Sequence, residues 1–317
     1  MLRLAHRILS QAEIGLRCLD EPSENDFARS DRHIGALRNV LRLGALPIIV
    51  ADNVVTYLNT GIEEHPEKYG FWESLPSAVP PFQSMFIEYA LPPSLSTTDD
   101  GKMVVNLTPP VTQGGVWLTS AAGSAAEIAA LVPPNVAGRE AISGAKWGVI
   151  GHVFGTARED SRVYYHGNFV CLLDPAGKFQ RMWTQAKGDP AAAYCLWTCA
   201  FFHCKNVNRL DVTSEEGPPP KWCRRQRVPE LKYHALQIDP NIGAQPRAGA
   251  RKTEGDRSGK ALHICRGHFA HFINDGVSTG LFGRRQFGTF WVPAHTRGSV
   301  EHGNVVSTYN VNLPCNS

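Results

Sequence analysis

Residues 190–204 constrain the fold of this chain more than any other stretch. Asp189 and Pro190 make a helix start, with Asp as N-cap and Pro at the first helical position. Behind them Tyr194, Cys195, Trp197, Cys199, Phe201 and Phe202 leave the helix apolar nearly all round. Such a helix has no face to offer water and must be buried. It needs partners on more than one side, and a sheet supplies them. The expected fold is α+β: a mixed, mostly antiparallel sheet around the buried helix, with N-terminal helices and a C-terminal β-hairpin. The 317 residues read as a single unit, 1–317, with a helical part over 1–70, a sheet with the central helix over 71–213, and a basic β region over 221–317.

The rest of the chain supplies the elements. Leu4, Ile8, Leu9, Ala12 and Leu16 fall near helical spacing, as do Ile34, Leu37, Val40 and Leu41. Leu46–Val50 fits helix or strand equally. Ser84–Tyr89, Met103–Leu107, Gly115–Leu118, Trp147–Val153, Val163–Leu173 and Leu231–Ile238 read as strands. Residues 124–132 are Ala-rich and helical, and Asp174-Pro175-Ala176-Gly177 is a turn. Glu215–Pro220 reads as a linker or exposed loop. Residues 239–260 are polar and rich in Gly and basic residues, as in a mobile loop. Leu262–Ile273 and Gln286–His295 alternate as the two strands of the hairpin.

Charge narrows the function. From Lys221 onward there are 14 Lys and Arg against 6 Asp and Glu, a balance of +8, while the first 220 residues hold 18 against 23, a balance of −5. A C-terminal third this basic points to an acidic partner, nucleic acid first. No apolar run reaches the ~18 residues of a membrane span. Met1–Cys18 is a basic amphipathic pattern interrupted by Arg3, His6 and Arg7 rather than a signal peptide. No membrane partner is therefore expected.

Several chemistries find no support. There is no Walker A sequence, no GxGxxG opening a helix after a strand, and no GxSxG elbow. No cofactor is expected. Cys195, Cys199, His203 and Cys204 sit close together with Cys223 beyond, yet paired CxxC knuckles are missing. The eight cysteines read mainly as buried free thiols, and no metal is expected.

The hairpin is where chemistry concentrates. His263, Arg266, His268, His271, Arg284, Arg285, His295 and Arg297 fall within 35 residues. Strand alternation puts Arg266 and His268 on one face and His263 and His271 on the other, with a bulge at Gly267 able to bring them together. His263, Arg266 and His268 are the catalytic candidates: a titratable His moves protons while a cationic Arg stabilises a charged phosphorane. The same groups also serve simply to hold a phosphate. Arg224, Arg225, Arg227, Lys232, Arg266, Arg284, Arg285 and Arg297 are the nucleic-acid-binding candidates. The interleaved Phe269, Phe272, Phe282, Phe287, Phe290 and Trp291 are either base-stacking platforms or the inner face of the sheet.

His263-Ile264-Cys265-Arg266-Gly267-His268-Phe269, followed after a variable loop by Trp291-Val292-Pro293-Ala294, resembles the C-terminal signature of a phage and plasmid family that includes a type V-A anti-CRISPR protein. His203–Val207, the basic Lys221–Arg227 and Tyr233–Leu236 resemble its relatives as well. The chain departs from the pattern at Cys265, where the family has Arg, and at Phe269, where it has Trp, and its loop Ile273–Gln286 is longer.

The resemblance implies a phage or mobile-element accessory protein in the cytoplasm of a bacterial host cell. It implies as partners a host polypeptide, in the type member a nascent CRISPR effector, and RNA or a ribosome-associated complex. The outcome in that family is inhibition through loss of the effector's messenger RNA during translation. The alternative from the residues is a metal-independent ribonuclease or RNA-binding protein using the Arg266/His268 face.

Overall fold

The computed structural model describes residues 3–10, 24–44, 46–56, 58, 75–90, 94–97, 103–106, 111–124, 126–128, 144–157, 163–184, 191–238, 261–265, 268–278, 280, 285–292, 295–297 and 299–304. They fall into two compact units, Met1–Ile238 and Asp239–Ser317.

The first unit is built on an eight-stranded sheet. Its strands are β1 (Ile48–Val50), β2 (Ser84–Ala90), β5 (Val111–Ala122), β6 (Trp147–Ala157), β7 (Val163–Leu173), β8 (Phe179–Thr184), β9 (Val207–Asp211) and β10 (Tyr233–Ile238), in the order β8-β7-β6-β5-β2-β1-β10-β9. β3 (Ser94–Thr97) and β4 (Met103–Asn106) form a separate antiparallel pair. Within this sheet the two ladders flanking β1 are parallel and the others antiparallel, Ile48 lying beside both Phe86 and Tyr233. The fold is α+β with a mixed, mostly antiparallel sheet.

Alternation in β2 shows why the sheet carries helices on both faces. Phe86 joins a core with Leu4, Ala5, Ile8 and Leu9 of α1 (Leu4–Ser10) and Ile34, Leu37 and Leu41 of α2 (Glu24–Arg42). Tyr89 points the other way and meets Tyr194 edge-on, ring centroids 5.0 Å apart. Tyr194 belongs to α3 (Ala191–Phe202), whose residues are all buried except Phe202. A strand covered on both faces is a continuous apolar run, and β2 reads Met85-Phe86-Ile87 with one exception, Glu88. Close packing also dictates Gly151 in β6: a Cβ there would lie 2.2 Å from the Phe169 ring.

Some sequence readings change in three dimensions. Leu46–Val50, which pattern left undecided, contributes β1, an inner strand between β2 and β10. Glu215 and Glu216 are not linker but the end of a one-turn helix, α4 (Thr213–Glu216), and Pro220 begins α5 (Pro220–Gln226). β8 and β9 had no clear signal, because edge strands are half-polar. The Asp189–Pro190 cap and the polar 239–260 stretch lie outside the described residues. Cys171, Cys195, Cys199, Cys204 and Cys223 are buried free thiols. His203 turns away from them to the Val79 carbonyl, 2.8 Å off.

The second unit contains the expected hairpin in two segments. β11 (Ala261–Cys265) pairs antiparallel with β14 (His295–Arg297), and β12 (His268–Phe272) with β13 (Gly288–Val292). β15 (Ser299–Asn304) adds to the other side of β11. Limited proteolysis checks the single-unit reading: after a first cut within 240–260 the two fragments stay associated if it holds, and separate as folded bodies if it fails.

Candidate functional site

The basic stretch Lys221–Arg227 folds as α5 for local reasons. Pro220 sits at the first helical position, where its missing N–H is no loss. Cys223 is buried and Trp222 half-buried against the body, so Lys221, Arg224 and Arg225 turn outward and are exposed. The helix ends in a Schellman pattern: the Arg227 N–H reaches the Arg224 carbonyl at 3.3 Å and the Val228 N–H reaches the Cys223 carbonyl at 3.0 Å. That geometry demands a left-handed residue, usually glycine. Here it is Arg227, at φ 54°. Among the described residues only one other non-glycine has positive φ: Arg285, at φ 55°, exposed in the β12–β13 connection. Gly276 and Gly280 take left-handed positions in the same connection. Both strained non-glycines are thus arginines from the nucleic-acid-binding set. Arg224, Arg225, Arg227 and Lys232 are all exposed and form no ion pair among the described residues.

On the hairpin, His263 lies opposite Arg297 and Cys265 opposite His295, while His268 lies opposite Val292. Five residues forward on one strand match five back on the other, so the two ladders keep one register. Arg266, Gly267 with its expected bulge, and Arg284 lie outside the described residues. Within β12, His268 and His271 fall on opposite faces. His268 is exposed, and His271 Nδ1 lies 3.0 Å from Thr289 Oγ1. Phe290 and Val292 are buried with Ala270 and Phe272 against them, and Phe269 meets Trp291 edge-on at 4.9 Å. Phe272 and Phe290 thus serve the inner face of this hairpin.

A second constellation escaped the sequence reading. Arg3 puts its Nε 2.7 Å from Glu216, its Nη2 2.9 Å from Asp52, and its Nε 3.7 Å from Glu88. Asp52 follows β1, Glu88 lies in β2 and Glu216 ends α4, so one guanidinium ties together elements from across the unit. Burial would lower the Arg3 pKa, but the bonds and charge of Asp52, with Glu88 and Glu216, outweigh it and raise it. Glu88 is fully buried, accepting the Ala5 N–H at 3.0 Å with one oxygen and making no hydrogen bond with the other. Burial pushes its pKa up to about 8, against the pull of the Ala5 N–H and Arg3. Next to it His6 is held by the Tyr233 hydroxyl at 2.5 Å and stacked on that ring, with Trp222 edge-on. Burial pushes His6 down to about 4. The available signal was Glu88 itself, a carboxylate inside an apolar strand, which requires a buried partner. Nothing local names Arg3 as that partner.

Among the described residues no group of three or more His, Cys, Asp and Glu could hold a metal ion, and no helix is long and apolar enough to cross a membrane. No family model matches the chain, and neither a curated protein nor a solved structure is similar to it.

Proposed function

We propose that this chain is an accessory binding protein that grips RNA, or an RNA-containing complex, through its exposed arginines, in the manner of an anti-CRISPR inhibitor acting on a nascent effector polypeptide. One observation carries the RNA half of this reading: Arg227 and Arg285 occupy left-handed positions where glycine is cheaper. A non-glycine there costs roughly 1–2 kcal/mol, and backbone strain of this kind collects at working sites. The long guanidinium is the part of Arg that glycine lacks, and fork-shaped donors suit phosphate. The polypeptide half rests on the resemblance of the His263–Phe269 signature.

The test uses opposite signs. Arg227→Gly is expected to raise stability by roughly 1 kcal/mol and to weaken retention of single-stranded RNA. The logarithmic salt slope of binding should fall by about one, because one phosphate fewer is neutralised. If RNA affinity is indifferent to salt, or unchanged in this variant, the arginines do not hold a polyanion. Cleavage of the RNA by wild-type protein that is abolished in His268→Gln would instead favour the ribonuclease reading.

A further inference from the structure

β9 ends the eight-stranded sheet, and four of its five residues are exposed. Among the described residues no strand pairs with its outer edge, and the direction of the hydrogen-bonding groups there follows from the register. Val212 N–H bonds the Tyr233 carbonyl at 2.9 Å, so position 212 faces β10. Because antiparallel pairs alternate, Leu210 and Asn208 also face β10, opposite Ala235 and Gln237. Arg209 and Asp211 therefore turn their main-chain N–H and C=O outward, away from the sheet. Between them stands Leu210, a large apolar residue left exposed, at 40%.

We propose that this edge docks a second copy of the chain, β9 against β9 about a two-fold axis, in the register that sets Arg209 opposite the partner's Asp211. Three independent features select that register. It joins positions whose N–H and C=O both point outward, so each pair exchanges two main-chain bonds. Two-fold symmetry repeats the pairing with Asp211 opposite the partner's Arg209, so opposite charges meet twice. Leu210 then falls opposite the partner's Leu210 and covers its exposed surface. Sliding the pairing to place Arg209 opposite Arg209 sets like charges together. Sliding it toward Val207 reaches an N–H already taken by the Cys204 carbonyl at 3.2 Å. Arg209 Cζ also sits 5.5 Å over the Phe82 ring, and Asp211 Oδ1 accepts the Thr213 N–H at 2.9 Å, so both side chains are anchored at the edge before a partner arrives. The result is one sheet continuous across two subunits.

Sedimentation of the full chain over a range of concentrations tests this. A concentration-dependent dimer is expected. Arg209→Asp and Asp211→Arg should each weaken it about tenfold, since like charges then meet twice, and the double variant should return to within about threefold of wild type. Leu210→Glu, which leaves the Asp211–Thr213 bond alone, should also dissociate the dimer, and it decides the matter if a charge variant melts early. A chain that stays monomeric at every concentration overturns the proposal. So does a dimer that survives Leu210→Glu, or one that the double charge swap fails to restore while its fold is intact.

Discussion

Arg3→Ala is expected to lower the unfolding free energy of the Met1–Ile238 unit by roughly 2–3 kcal/mol at pH 9. Glu88, fully buried and 3.7 Å from Arg3, answers the loss by holding a proton, which limits its share to about 1.4 kcal/mol at that pH. Asp52 and Glu216 are more than a third exposed on their side chains, so water takes over much of their half of the interaction. The pH matters. Above about 8 Glu88 is ionised and needs the guanidinium, whereas at pH 6 it is neutral and the same substitution should cost clearly less. Urea unfolding at the two pH values measures both. The cycle with Glu88→Gln isolates the pair, because Gln still accepts the Ala5 N–H and carries no charge. A loss of under about 1 kcal/mol at pH 9 would show that Arg3 is held but not needed.

The second large effect is a fall in stability between pH 6.5 and 8. Glu88 has its pKa raised by burial from 4.5 to about 8. A raised carboxyl stabilises the folded state fully below the unfolded value and loses that contribution as pH rises through the folded value. In this window the folded chain holds a proton that the unfolded chain has released. Stability then drops at about 1.4 kcal/mol per unit, roughly 2 kcal/mol in all. His6 acts with the opposite sign and elsewhere. Its pKa is lowered by burial from 6.5 to about 4, so its contribution is present above 6.5 and lost on acidification. The two slopes oppose each other between 4.5 and 6.5, and from 6.5 to 8 the Glu88 slope is no longer offset by His6. Glu88→Gln should flatten that upper limb. A wild-type profile already flat there would place the ionised carboxylate in the folded state and remove the basis of the prediction.

Local pattern carried much of the fold. The all-round apolar run from Ala191 to Phe202 had to be a buried helix, and strands such as Ser84–Tyr89 and Val163–Leu173 announced themselves by composition. β8 and β9 were missed because an edge strand buries too little to show a pattern. β1, three residues long, is too short for any period to distinguish. For the site, the sequence named Arg224, Arg225, Arg227 and Lys232 as nucleic-acid-binding candidates from charge alone; the structure shows that all four are exposed, and their binding role is a proposal. It had no means of marking Arg227 as strained, because a left-handed C-terminal cap leaves its usual trace as glycine and here that trace is absent.

By itself, then, the sequence determined which segments must be buried, the basic character of the last third, and the histidine-rich hairpin. These are properties of neighbours along the chain, where spacing and composition act directly. Tertiary structure alone decided that Arg3 meets Asp52, Glu88 and Glu216, that His6 stacks on Tyr233, and that Arg209 and Asp211 turn their main-chain groups outward. Those pairings join residues up to 227 positions apart. The order of strands in the sheet selects them, and that order depends on how the two helical layers share its faces rather than on any local signal.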